Sequence, residues 1–296
     1  MTLEQLRIFI EVAEQGHVTK AAGILCLTPS AVSASIRNLE ERYGTALFER
    51  IGRGIVVSPA GRQFLPEARL TMASALATER TLTELGNGQR GVMVIAASQT
   101  IASYWLPPLL VRYRQRYPLV EIRLTLGNTR EVAYSLTDGS TDIGFVEGRI
   151  DDAAVSSMVV AKDHFVAVVG PAHPWADGRR VSLAALVKAD WVMRESGSGT
   201  RSAFEEMLTK LGADPAALSI AMTMPSNESV CSAVIAGPFV TVVSRLVVEA
   251  QLHAGLLKKV HIDLPGRAFY LLRHGRYKSR TSLALEDLIE APATGA

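Results

Sequence analysis

The chain has 296 residues, 48% of them hydrophobic and 20% charged, with a formal net charge of +2. That length and composition exclude a disordered chain and a single small core, and suit two or three globular domains. A net charge so near zero is weak support for nucleic-acid binding taken alone, and no uninterrupted apolar run approaches the about eighteen residues of a membrane-spanning helix. The amino terminus is amphipathic and lacks the basic-then-apolar layout of a signal peptide, so a cytoplasmic protein without membrane attachment is expected.

In chain order, Thr2 and Gln5 make a capping box, Leu3, Leu6, Ile10 and Ala13 give a first helix its buried stripe, and Gly16 ends it. From Val18 to Leu25, residues Val18, Ala21, Ala22 and Leu25 recur at helical steps, and the paired alanines let another helix approach closely. Thr28 is an N-cap and Pro29 suits the first helical position. A further helix is therefore expected from about Pro29 to Tyr43, with Val32, Ile36, Leu39 and Tyr43 facing inward and Gly44 as its stop. Its other face carries Ser30, Ser33, Ala34 and Arg37, small, hydroxyl-bearing and cationic side chains that can approach a DNA groove without steric conflict. Leu47 and Phe48 anchor the next segment to the core. Arg50, Gly52, Arg53 and Gly54 then form a turn ahead of Ile55, Val56 and Val57, a wing that sets Arg50 and Arg53 against phosphates. Between His17 and Arg62, six cationic residues (Lys20, Arg37, Arg42, Arg50, Arg53, Arg62) stand against three acidic ones (Glu40, Glu41, Glu49).

The stretch TKAAGILCLTPSAVSASIRNLEERYGTALFERIGRGIVVSPAG resembles the winged helix-turn-helix signature of LysR-type transcriptional regulators. The resemblance implies that Thr28, Pro29, Ser30, Ser33 and Arg37 face double-stranded DNA, with Arg50 and Arg53 on its backbone. Pro29 stands where Gln is common in that family, Ser30 where Pro is common, and Ala34 where a basic residue is frequent.

Ser58-Pro59 caps a long helix expected from about Ala60 to Leu85, in which Leu65, Ala68, Met72, Ala75, Glu79 and Leu82 form a narrow seam. Such a seam wants a partner helix, and a homodimer or homotetramer would present paired recognition helices to two half-sites. Gly86-Asn87-Gly88-Gln89-Arg90-Gly91 reads as a hinge. Beyond it, Val92–Ala97, Val120–Leu126, Asp142–Val146, Phe165–Val169, Trp191–Arg194, Ile220–Met224, Phe239–Val243 and Ala268–Leu272 read as strands. Helices are expected over Thr100–Tyr117, Arg130–Thr137, Leu183–Val187, Thr200–Lys210, Glu228–Ala236 and Leu283–Ile289, the alternation of a mostly parallel sheet.

This second part resembles the effector-binding domain of the same family. The expected fold is α/β overall: an all-α-rich winged helix-turn-helix amino-terminal domain with a long linker helix, then a two-lobed α/β domain of periplasmic-binding-protein type. The expected domains are a DNA-binding domain over 1–58, a linker and dimerisation helix with hinge over 59–90, and an effector-binding domain over 91–296. On the resemblance, about 91–161 and 265–296 form one lobe and about 162–264 the other.

Ser98-Gln99-Thr100 follows a strand and opens a helix, and Ser196-Gly197-Ser198-Gly199-Thr200-Arg201 does the same. Unpaired N–H groups at helix starts, with hydroxyls beside them, suit an oxyanion, so a small anionic or carboxylate-bearing metabolite is the expected effector. Glu147 has two readings, a contact to an ammonium group of an amphoteric effector or a structural pair with Arg149 or Arg201. Asn227 either caps its helix or lines the cleft, and Asn128 reads as a turn or cap residue. The GSGTR run lacks the Lys-Ser/Thr ending of a nucleotide-binding loop, which argues against an ATPase. Cys26 and Cys231 read as buried fillers, and the six histidines show no metal-ligand spacing, so neither a disulfide nor a metal or other cofactor is expected. No catalytic arrangement is identifiable, and the expected function is a DNA-binding transcriptional regulator. The alternative is a two-lobed small-molecule-binding protein or enzyme with no regulatory role on DNA.

Overall fold

A computed structural model describes residues 1–51, 54–87, 91–148, 150, 155–274 and 279–290. The chain divides into two units, Met1–Gly86 with Thr137–Ser140, and the rest from Asn87 onward.

In the first unit, α1 (Leu3–Gln15) opens on the expected capping box: Thr2 Oγ1 accepts from Gln5 N at 3.1 Å and Gln5 Oε1 from Thr2 N at 3.0 Å. Its buried residues are Leu6, Ile8, Phe9 and Val12, whereas Leu3 is exposed and Ile10 and Ala13 half-buried. The expected stripe of Leu3, Leu6, Ile10 and Ala13 is therefore corrected to a face centred on Leu6, Ile8, Phe9 and Val12, because α1 serves two clusters. Ile8 and Val12 pack with Ala21, Ala22, Val32 and Ile36, while Leu6 and Phe9 pack with Leu39, Leu47 and Ala68. Helix α2 (Val18–Leu25) ends on Cys26 in the left-handed region at φ 55°, and α3 (Pro29–Tyr43) ends on Gly44 at φ 62°. Cys26 is exposed, not buried as expected, since it closes a helix at the surface. Tyr43 is likewise exposed, lying beyond the last core position of α3, Leu39.

Strands β1 (Phe48–Ile51) and β2 (Gly54–Val57) pair antiparallel as the wing. Helix α4 (Pro59–Asn87) begins after Ser58, whose Oγ donates to Ala46 O at 2.7 Å and accepts from Gly61 N at 2.9 Å. A Cβ on Gly61 would sit 2.2 Å from Leu47 O, so only glycine lets α4 start this close to the preceding segment. The seam on α4 is shared out differently from the expectation. Leu65, Ala68 and Met72 pack against α1, α3 and Leu47 of their own chain, whereas Leu82 is 65% exposed. The hinge expected over 86–91 begins inside α4, and its residues 88–90 lie outside the described residues.

The second unit contains two five-stranded sheets. The first has the order β4-β3-β5-β12-β6, from β3 (Gly91–Ala97), β4 (Val120–Leu126), β5 (Ile143–Glu147), β6 (Val155–Asp163) and β12 (Arg267–His274). The second has the order β11-β7-β10-β8-β9, from β7 (Phe165–Val169), β8 (Asp190–Arg194), β9 (Ser219–Met224), β10 (Val240–Ser244) and β11 (Lys258–Lys259). Neither sheet is mostly parallel. In the first, β3 pairs parallel with β4 and β5 while β12 runs antiparallel to β5 and β6; in the second, β8 pairs parallel with β9 and β10 while β7 runs antiparallel to β10 and β11. The antiparallel members β6 and β12 are also where the chain leaves the first sheet, at Asp163, and re-enters it, at Arg267.

The helices are α5 (Leu106–Arg116), α6 (Thr129–Thr137), α7 (Leu183–Val187), α8 (Gly199–Lys210), α9 (Asn227–Ala236), α10 (Arg245–His253) and α11 (Arg280–Glu290). The helix expected to start at Thr100 begins instead as a wide π turn, Ile101–Trp105, ahead of α5. Pro107 and Pro108 at the start of α5 supply no N–H, which removes two bonds that would tighten that turn. Phe145, Phe269, Ile95 and Leu106 centre the core of the first sheet. Trp191, Phe204 and Leu186 pack on one face of the second sheet, and Val168, Val230 and Val234 on the other.

Candidate DNA-binding face and effector cleft

Helix α3 turns its buried face, Val32, Ile36 and Leu39, into the first unit, and this leaves the opposite face outward. Thr28 Oγ1 accepts from Ala31 N at 3.2 Å and lies 3.0 Å from Ser30 Oγ, so the cap fixes two of the candidate DNA-facing hydroxyls at once. Pro29, Ser30 and Arg37 are exposed and Ser33 is half-buried. Ser33 and Arg37 border a concavity of about 500 Å³ whose other walls include His17 and Thr19 of the α2 start and Arg50 of the wing. Arg50 is exposed on β1 opposite Ile55; Arg53 lies outside the described residues. Sequence reasoning missed the residue that seats the wing. Glu40 Oε1 accepts from Leu47 N at 2.7 Å and Phe48 N at 3.1 Å, which ties the entry of β1 to the side of α3.

In the second unit, the two expected helix starts flank the end of β5. Ser98 N donates to Phe145 O at 2.9 Å, and a Cβ on Gly199 would lie 2.6 Å from Glu147 Oε2 and 2.7 Å from Thr129 Oγ1. Gly199 thus lets α8 begin flush against the end of β5. Ser98, Thr100, Glu147, Ser198, Thr200 and Asn227 are buried, Gln99 and Arg201 half-buried, and Ser196 exposed. Ser98 Oγ and Thr129 Oγ1 are buried without a hydrogen-bond partner.

Two polar networks cross between the sheets. In one, Gln99 Oε1 accepts from Arg194 Nη1 at 2.7 Å and from Asn227 N at 2.8 Å, while Gln99 Nε2 donates to Glu228 Oε2 at 2.7 Å. Asn227 Nδ2 donates to Thr100 Oγ1 at 3.1 Å, and Arg194 Nη1 also reaches Asn227 Oδ1 at 2.9 Å. Tyr104 OH donates to Glu228 Oε1 at 3.0 Å; burial, with the carboxylate beside it, pushes the phenol up to about 12, so it stays a donor at neutral pH. Asn227 therefore lines the space between the sheets, and Ser226 caps α9 instead.

The second network centres on Arg267. Its Nε donates to Asp163 Oδ2 at 2.7 Å, its Nη1 to Thr200 Oγ1 at 3.3 Å, and its Nη2 lies 3.6 Å from Glu147 Oε1. Asp163 also accepts from Ser244 Oγ at 2.6 Å and His164 N at 2.9 Å, and the guanidinium stacks 4.6 Å from the Phe165 ring. This corrects the structural reading of Glu147: its cationic neighbour is Arg267, whereas Arg201 is held by Glu205 Oε1 at 2.7 Å and Arg194 O at 3.2 Å. Arg149 lies outside the described residues. Asn128 does act as a cap, accepting from Arg130 N and Glu131 N at 3.0 Å each. Arg194, Tyr104, Asp163, Glu228 and Arg267 were missed from sequence. Only Arg194 carried a signal, as a charged residue ending a strand just before the GSGTR run.

Comparison with known proteins gives two family matches: the bacterial regulatory helix-turn-helix protein, lysR family, over residues 3–62, and the LysR substrate binding domain over residues 86–292. The chain is 36% identical to the uncharacterized HTH-type transcriptional regulator YeiE of Escherichia coli (strain K12), over 98% of this chain and 96% of that one. It is 33% identical to the RuBisCO operon transcriptional regulator of Allochromatium vinosum, over 99% and 97% of the two chains. Among solved structures, full-length CbnR complexed with its target DNA shares the fold, with a TM-score of 0.66, 20% identity and 98% and 99% coverage of the two chains. A winged helix-turn-helix unit followed by a unit of two five-stranded sheets is thus matched along nearly the whole chain, which belongs to the LysR family of DNA-binding transcriptional regulators and is not an enzyme.

Proposed function

We propose that the chain reads double-stranded operator DNA through Thr28, Pro29, Ser30, Ser33 and Arg37, and that Arg50 and Arg53 contact the phosphates. The observation that carries this reading is the outward face of α3 lying beside the wing across one concavity. Phosphate contacts set affinity and its salt dependence, whereas base contacts set preference. Arg50→Ala is expected to weaken binding to all fragments alike and to lower the salt slope by about one. Ser33→Ala is expected to change which fragment is preferred. Gel shifts at two salt concentrations check both; a change of preference without general weakening in Arg50→Ala would overturn the assignment of roles.

The same proposal divides the chain into a DNA-binding domain (1–58), a linker helix with hinge (59–90) and an effector-binding domain (91–296), acting as a cytoplasmic homodimer or homotetramer. Oligomer formation is supported by Leu82, exposed near the end of α4, and by the outer strands β4 and β9, which leave Leu124, Leu126 and Ile220 exposed. Among the described residues no helix is long and apolar enough to cross a membrane.

The effector in this reading is a small anion or carboxylate-bearing metabolite held between the two sheets. Support comes from the two helix starts flanking β5 and from the unpartnered Ser98 and Thr129 hydroxyls. Thr100 and Thr200 each accept one bond, and each keeps its own O–H to offer. Thr100→Ala and Thr200→Ala are each expected to weaken anion binding about tenfold or more, the worth of one hydrogen bond to a charged group. Calorimetry on the full chain measures this, and unchanged affinity in both variants would remove the site from consideration.

A further inference from the structure

We propose that Gln99 is a built-in plug of the effector site: its amide oxygen occupies the position that an oxyanion of the effector takes on Arg194 and on the first backbone N–H of α9. This rests on the reading of the cleft as an anion site. Arg194 is 7% exposed, and Glu195 holds its Nε and Nη2 at 2.8 and 2.9 Å. That leaves Nη1 as the edge turned toward Gln99 Oε1, at 2.7 Å. The other donor to the same oxygen, Asn227 N at 2.8 Å, is the first N–H of a ten-residue helix and carries that helix's partial positive charge. A guanidinium and a helix-start N–H converging on one oxygen are donors suited to an anion, yet here they hold a neutral amide. A carboxylate, sulfate or similar oxygen in that position makes charge-assisted bonds roughly twice as strong. Ser98 Oγ, on the residue before Gln99, is buried without a hydrogen-bond partner.

The plug is also a tie. Gln99 belongs to the segment after β3, whereas Arg194, Asn227 and Glu228 belong to β8 and α9 of the other sheet. Glu228 grips the Gln99 amide nitrogen at 2.7 Å while Tyr104 OH grips Glu228 at 3.0 Å. An anion that displaces the amide oxygen therefore exchanges one link between the sheets for another, and binding is coupled to their mutual arrangement.

Titration calorimetry of the full chain with inorganic sulfate and with malonate tests the plug. Gln99→Ala is expected to bind the better of the two probes about tenfold more tightly than the parent, since no self-occupied state has to be vacated. Glu228→Gln, which loosens the hold on the Gln99 nitrogen, is expected to gain a smaller factor, about threefold. Arg194→Gln is expected to lose binding, and if that variant does not fold, the first two carry the test. Should Gln99→Ala instead bind more weakly than the parent, Gln99 is a ligand contact and the plug is refuted while the anion site stands. If neither probe binds any of the proteins, including Gln99→Ala, both the plug and the anion site fall.

Discussion

Arg267→Met is expected to lower the unfolding free energy of the effector-binding unit by about 3–5 kcal/mol, the cost of stranding buried charges that have lost their counter-ion. The Arg267 side chain is 6% exposed, and it stands between Asp163 and Glu147, whose side chains are 1% and 2% exposed. Methionine fills much of the same volume and keeps the packing on Phe165 and Phe269, so what is removed is mainly charge and hydrogen bonds. Asp163 would keep Ser244 Oγ and His164 N as donors, but no cation. Adding Asp163→Asn to Arg267→Met is therefore expected to recover part of the loss, because one of the stranded charges disappears. All three tryptophans, Trp105, Trp175 and Trp191, lie in this unit, so their fluorescence during urea unfolding reports it selectively. A loss below about 1 kcal/mol, the level of an exposed pair, would mean that the guanidinium is not the counter-charge of this cluster.

Phe9→Ala is expected to cost the DNA-binding unit about 3–5 kcal/mol, the usual range for removing a fully buried aromatic. Phe9 is 0% exposed and its ring lies 5.4 Å from that of Phe48 on β1 and 5.1 Å from that of Phe64 on α4. One side chain thus joins the first helix to the wing and to the linker helix. The loss should appear as an earlier transition in far-UV circular dichroism and as weaker DNA binding, with the tryptophan transition unmoved. Full retention of DNA binding at 37 °C, alongside an unchanged circular-dichroism melt, would show that the three elements do not depend on this ring.

How far the sequence could be read depended on whether punctuation was local. Helices α2 and α3 were bounded correctly because Thr28-Pro29 and Gly44 mark their own positions through cap chemistry. The interior of α1 was read less well. Its sequence spacing points to one stripe, whereas the helix is covered from two sides and Phe9 lies on the second of them. Strand β6 escaped because it is an outer strand with no clean alternation, VSSMVVAKD, paired only to β12. Helix α10 escaped because no glycine or proline separates it from β10; Ser244 is at once the last strand residue and the N-cap. In the cleft, Ser98, Thr100 and Thr200 were legible as hydroxyls at helix starts. Arg267 was not, since its partner Asp163 lies 104 residues away and only the folded chain makes them neighbours.

The two bonds from Glu40 to the backbone of Leu47 and Phe48 limit how this regulator can be re-engineered. On the proposed reading of DNA by α3, transplanting its outward face from a relative to redirect promoter choice leaves the core untouched at Ser30, Ser33, Ala34 and Arg37, which are not buried. A graft that extends through position 40 and brings a side chain with no oxygen able to accept from Leu47 N and Phe48 N would unfasten the hairpin, and the chimera would lose grip on every promoter whatever sequence its new face prefers.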